Sequence, residues 1–159
     1  MKKILFIFFL FIFFNAKAQT FKYYQTENIH NQLQLNSKTG EVLQVQDDGQ
    51  TFIVNTALTV ENEIPNRYAL FKTENMWTFI LLDQFSGKLW QCQYSVKGPD
   101  YRNTWGINTV SLSYSRSNKF TIQPLISMFQ YYLINDETGE RWKFQWSSQG
   151  DEYRWIQKL

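Results

Sequence analysis

The segment FKYYQTENIHNQLQLNSKTGEVLQVQ (21–46) lies without a gap on YALFKTENMWTFILLDQFSGKLWQCQ (68–93), and that segment lies without a gap on FTIQPLISMFQYYLINDETGERWKFQ (120–145). Self-similarity of this kind marks a unit that cannot bury its apolar face alone and buries it against its own copies. Whatever one copy forms, the chain forms three times.

Each copy reads as strands. A short alternating run (Phe21/Tyr23, Tyr68/Leu70, Phe120/Ile122) is followed by a turn, TEN at 26–28 and 73–75, replaced by LIS at 125–127. The second strand leads to Asn36, Asp83 or Asn135, with Gly40, Gly87 or Gly139 four residues on. A short side-chain acceptor followed by a glycine with positive φ fits a tight hairpin, a type I turn closed by a G1 bulge. The third strand has period two: Trp90, Cys92 and Tyr94 alternate with Gln91 and Gln93, and Trp142, Phe144 and Trp146 with Lys143 and Gln145. This predicts half-buried antiparallel strands with an apolar face toward the core and an amide face toward water. A fourth strand follows at 51–60 and 104–114, and as RWIQKL at the C-terminus.

The expected fold is therefore all-β, with three four-stranded repeats (about 21–60, 68–114 and 120–159) in a single domain over 19–159. Two architectures satisfy that pattern. A β-trefoil, which closes six strands into a barrel and removes most free edges, is favoured over a three-bladed propeller-like arrangement, because propellers usually need four or more blades to close.

The first residues point to export. Lys2 and Lys3 precede an apolar run over 4–14, and Ala16-Lys17-Ala18 has the small-x-small form of a cleavage site, so 1–18 reads as a signal peptide. At about 1.5 Å per helical residue, the run crosses only roughly half of a ~30 Å hydrocarbon core. A periplasmic or secreted protein is expected, with no membrane association after cleavage. Removing Lys2, Lys3 and Lys17 from the 16 basic residues leaves 13 against 14 acidic ones, a net charge near −1. That balance lacks the concentrated positive surface that nucleic acid requires. The single cysteine, Cys92, cannot form an intrachain disulfide, so the fold rests on burial, with 18 % aromatic residues to supply it.

The hairpin LLDQFSGKLW resembles the repeat of quinoprotein-type propellers, in which an apolar strand, an Asp, a Thr/Ser-Gly turn and a Trp recur. Across the whole unit the chain also resembles small exported proteins of a kind common in Bacteroidota, built from F-x-L…W-x-F-L-L-D-x-x-T-G-x-x-W-Q-x-Q copies. The first copy departs furthest, with His30 for Trp77 and Leu43 for Trp90. Neither resemblance implies an activity or a cofactor.

Little catalytic material is present. His30 is the sole histidine and aligns with Trp77 and Phe129, which reads as a strand residue in a degenerate copy rather than a base or ligand. Cys92 aligns with Val45 and Phe144 and reads as a buried thiol. The acids around Gly139 (Asp136, Glu137, Glu140) and Asp47-Asp48 read as solvated turn residues, so no metal and no enzyme activity are expected.

One constellation has functional shape. GPDYRNTW (98–105) and GDEYRWI (150–156) each place an acid, a Tyr and an Arg before the aromatic that opens the last strand. Asp100, Tyr101 and Arg102, with Glu152, Tyr153 and Arg154, are the candidate ligand-binding residues. An acid and an Arg can hydrogen-bond a sugar's hydroxyls while its apolar face stacks on an aromatic ring. The structural alternative has Tyr covering a barrel end and Arg pairing with its neighbouring acid. The expected function is a non-enzymatic binding module, monomeric, recognising a glycan or a protein. The alternative is an inhibitor or immunity-type protein that blocks a partner enzyme or toxin through a loop such as 61–67.

Overall fold

The computed structural model describes residues 20–59, 63–107, 115–117 and 119–159; the leader and most of the expected extension of the eighth strand lie outside them. Among the described residues twelve strands form three antiparallel sheets, each a meander whose strands pair in chain order. Sheet 1 holds β1 (Phe21–Gln25), β2 (Asn31–Asn36), β3 (Val42–Gln46) and β4 (Thr51–Asn55). Sheet 2 holds β5 (Tyr68–Lys72), β6 (Thr78–Asp83), β7 (Leu89–Gln93) and β8 (Asn103–Gly106). Sheet 3 holds β9 (Phe120–Pro124), β10 (Gln130–Asn135), β11 (Arg141–Gln145) and β12 (Trp155–Lys158).

The all-β reading with three four-stranded repeats is what the chain adopts. Among the described residues every ladder stays inside one repeat. Closing six strands into a barrel would need ladders between repeats, so in this detail the pairing follows the blade-like alternative rather than the trefoil.

The turns form as their residues require. In the hairpins, Asn36, Asp83 and Asn135 accept a backbone N–H two residues on, from Lys38 (3.1 Å), Phe85 (3.0 Å) and Glu137 (3.0 Å). Gly40, Gly87 and Gly139 then turn through φ of 78°, 70° and 73° and donate back to the same three residues' carbonyls. In the TEN turns, Thr26 and Thr73 donate to the carbonyls of Asn31 (2.9 Å) and Thr78 (2.8 Å). Asn28 and Asn75 accept the N–H of His30 (3.1 Å) and Trp77 (2.9 Å).

Two cores hold the sheets in a row. Leu33, Leu35, Val42 and Val54 of sheet 1 pack on Tyr68, Leu70, Phe79, Leu81, Cys92 and Tyr94 of sheet 2. The opposite face of sheet 2, with Ile80, Leu82 and Leu89, packs on Phe120, Ile122, Tyr131, Leu133, Trp142, Phe144 and Trp146 of sheet 3. Sheet 2 is therefore covered on both sides, and all six residues of β6 are buried. The expected solvent-facing amide side of β7 is corrected here. Gln91 is fully buried, as is Gln44 on β3, because in a stack of sheets period two reports which neighbour a side chain meets. Each new sheet is also registered by a backbone bond from its first strand to the preceding hairpin, Tyr68 N–H to Ser37 (2.9 Å) and Phe120 N–H to Gln84 (2.8 Å).

Candidate functional site

The β5–β6 turn and the β7–β8 loop meet at one end of sheet 2, and the corresponding turn and loop of sheet 3 meet at the same end of that sheet. Each loop contains a single 3-10 turn, Pro99–Tyr101 or Asp151–Tyr153, closed by the N–H of Arg102 or Arg154 on the residue three before it (3.0 Å in both). These turns project Tyr101 and Tyr153 outward, 52 % and 46 % exposed.

Beside each tyrosine lies a cavity, of about 170 Å³ on sheet 2 and about 190 Å³ on sheet 3. The two have the same plan. Their floors are an aromatic pair, Trp77 with Tyr94 (ring centroids 5.2 Å apart, planes at 50°) and Phe129 with Trp146 (5.0 Å, 53°). In both, the backbone N–H of the second ring's residue donates to the carbonyl of the first at 3.1 Å. The wall is an amide, Gln93 or Gln145, whose Nε2 donates to the carbonyl of Tyr101 (3.3 Å) or Tyr153 (3.0 Å) and so ties the projecting tyrosine to the strand. Ser95 and Ser147 shape the loop by accepting the N–H of Lys97 or Gln149, at 3.0 Å in each case. The outer ring of each tilted pair, Trp77 or Phe129, is accessible while its partner Tyr94 or Trp146 is fully buried, and an accessible ring beside amide and hydroxyl groups can take an apolar ring face and hydrogen-bond its edge.

The arginines do something else. Arg102 turns back to sheet 1, where its Nε donates to Gln44 Oε1 (2.9 Å) and its guanidinium lies 4.1 Å from the centroid of Phe52. Arg154 turns back to sheet 2. Its guanidinium lies 5.3 Å from the centroid of Trp105, Nη1 donates to the Ser147 carbonyl (3.0 Å), and Nη2 pairs with Asp151. Its side chain is 6 % exposed, and burial pulls its pKa below the usual guanidinium value. The buried glutamines complete the joint, Gln44 accepting from Ser95 N–H (3.4 Å) and Gln91 from Ser147 N–H (3.1 Å). Each arginine is thus a strut onto the preceding sheet. Among the described residues no sheet precedes the first copy for such a strut to reach, and that copy lacks the motif.

The six residues singled out from the sequence therefore separate. Tyr101 and Tyr153 line cavities, Arg102 and Arg154 face the inter-sheet joints, and Asp100 and Glu152 are exposed on the loops. The missed residues are the aromatic floors and the Lys97 and Gln149 positions. Gap-free alignment already placed Trp77 over Phe129 and Tyr94 over Trp146, but a buried ring on a strand reads as core, and these rings serve both purposes. In sheet 1 the equivalent residues are His30 and Asp47, joined at 2.9 Å through Nδ1, and the loop is shortened to a turn at Gly49.

Elsewhere the described residues offer little chemistry. Cys92 is fully buried, and desolvation pushes its thiol up to about 12. No group of three or more His, Cys, Asp or Glu side chains is gathered to hold a metal ion, and no helix is long and apolar enough to cross a membrane, among the described residues.

No family model matches the chain, and no curated protein matches it. Among solved structures it is similar to Hsv2 of Kluyveromyces lactis, a propeller-type protein, with a TM-score of 0.50 and 14 % identity over 91 % of this chain. The chain spans 47 % of that structure's length. At this identity the likeness concerns the fold, a row of blade-like sheets.

Proposed function

We propose that the protein is an exported, non-enzymatic binding module that recognises a glycan through two like pockets, one beside Tyr101 and one beside Tyr153. The observation that carries this reading is the repetition of the whole pocket. Aromatic floor, amide-held tyrosine and serine-shaped loop recur with distances that agree within a few tenths of an ångström, although most of the surrounding residues differ. A core needs buried rings but does not need a half-exposed tyrosine tied over them by an amide. Adjacent sheets stack about 10 Å apart, so two such pockets suit alternate rather than successive units of one chain-like ligand. Weak sites engaged together gain strength through effective concentration.

The test is binding to a glycan array, followed by titration of the responding oligosaccharide. Tyr101→Ala and Tyr153→Ala are each expected to weaken binding, and the double variant to abolish it, with melting temperatures little changed because both side chains are half-exposed. A folded double variant with unaltered affinity would remove these pockets from the function.

A further inference from the structure

The two pockets share the amide, the serine and the tyrosine, have different aromatic rings as floor (Trp77 with Tyr94, Phe129 with Trp146), and differ in charge at one rim position, Val96-Lys97 against Ser148-Gln149. Resting on the glycan reading above, we propose that the Tyr101 pocket takes a sugar bearing a carboxylate, of the uronic acid class, while the Tyr153 pocket takes a neutral sugar. Lys97 places its ammonium 5.6 Å from the Tyr101 ring centroid, at the rim of the cavity. Among the described residues it makes no ion pair with a protein carboxylate, so its charge is available to a ligand. Gln149 stands at the same point of the other loop and brings only an amide.

The surrounding charge has the same sense. The loop over 95–102 carries Lys97, Asp100 and Arg102, a sum of +1, whereas 147–154 carries Asp151, Glu152 and Arg154, a sum of −1. A carboxylate standing off a bound pyranose would meet an ammonium at the rim of the first pocket and, in the second, only the Gln149 amide, with the exposed Glu152 on the same loop. A charge-assisted hydrogen bond is roughly twice as strong as a neutral one, and one such bond corresponds to about a tenfold difference in affinity.

The two sites can be read separately by NMR, because the indole of Trp77 reports the first pocket and that of Trp146 the second. The probes are matched pairs of trisaccharides, galacturonic acid against galactose and glucuronic acid against glucose. For one pair, the acidic member is expected to shift Trp77 at about tenfold lower concentration than it shifts Trp146, with a preference that fades as salt is raised. Lys97→Gln should erase the preference at Trp77, and Gln149→Lys should create it at Trp146. Both side chains are exposed, so neither change threatens the fold. Equal response of the two indoles to acidic and neutral probes, or swapped variants that leave the preference where it was, would overturn the charge assignment while leaving the glycan reading intact. Silence of both indoles toward all four probes would overturn both.

Discussion

Gly40, Gly87 and Gly139 share a backbone conformation but not an environment. All three sit at φ near +75°, in the left-handed region where an L side chain costs about 1–2 kcal/mol. A Cβ on Gly139 would meet nothing within 4 Å, whereas one on Gly40 would lie 3.1 Å from both the Tyr68 ring and Leu58. Gly139→Ala is therefore expected to cost only the conformational amount. Gly40→Ala should lower the melting temperature further, because Tyr68 is 1 % exposed at the joint of sheets 1 and 2 and has little room to move. Equal melting temperatures would mean that the ring yields freely. The hairpin turns were legible in the sequence because Asn or Asp with Gly at that spacing satisfies its own backbone, whatever surrounds it. The reason for Asp rather than Asn at position 83 was not legible. It is 1 % exposed and receives both Nε (3.1 Å) and Nη2 (2.7 Å) of Arg67, a residue outside the repeat alignment.

At the scale of strands, alternation identified the elements but not what lay on each side of them. Lone sheets and stacked sheets give the same period, so Gln91 read as solvent-facing although it and its counterpart Gln44 are fully buried and accept hydrogen bonds across the stack. The copies are not equivalent here either. Gln44 Nε2 donates to Asn31 (2.6 Å), but Thr78 replaces that asparagine in the second copy and Gln91 Nε2 finds no partner among the described residues. The tyrosine–arginine motif was legible as a doubled pattern, yet its two residues separate because one precedes and the other follows the close of a 3-10 turn. This separation predicts a split. Arg102→Ala removes the guanidinium from Phe52 and from the buried Gln44 carbonyl, and should cost about 1–3 kcal/mol, since a buried acceptor loses a charged donor. Tyr101→Ala should stay within about 0.5 kcal/mol, as exposed substitutions do. Denaturant unfolding of the two variants measures both values, and a reversed order would put the arginine in the ligand site and the tyrosine in the joint.

At the scale of the whole molecule, the row has two end faces, and the repeats show what became of them. Sheet 1 presents outward the positions by which sheets 2 and 3 pack on their predecessors. Where those sheets bury Phe79 and Leu81, or Tyr131 and Leu133, sheet 1 carries Gln32 and Gln34. Sheet 3 presents outward the positions that sheets 1 and 2 use to receive a successor. Where those have Val42 and Gln44, or Leu89 and Gln91, it carries Arg141 and Lys143. Phe21 and Tyr23 on β1 and Leu43, Val45 and Ile53 on β3 and β4 also lie on the first face, and Gln32 and Gln34, the latter donating to the Tyr23 hydroxyl, divide these apolar residues into two strips. Polar outer faces are how stacked-repeat proteins cap a row that would otherwise continue. The chain spans about half the length of the propeller-type structure it resembles, so two copies end to end would have the length of a ring, and these faces oppose that closure. The expected state is a monomer, with a mass by light scattering that does not change between micromolar and hundred-micromolar protein. Restoring the internal pattern on the first face, with Gln32→Phe and Gln34→Leu together, should generate concentration-dependent association. Lys143→Gln alone on the other end should not, because Arg141 still stands where the internal sheets bury Val42 and Leu89. A wild-type dimer that Arg141→Glu dissociates would overturn the capping argument, since that residue would then be holding a second copy rather than excluding one.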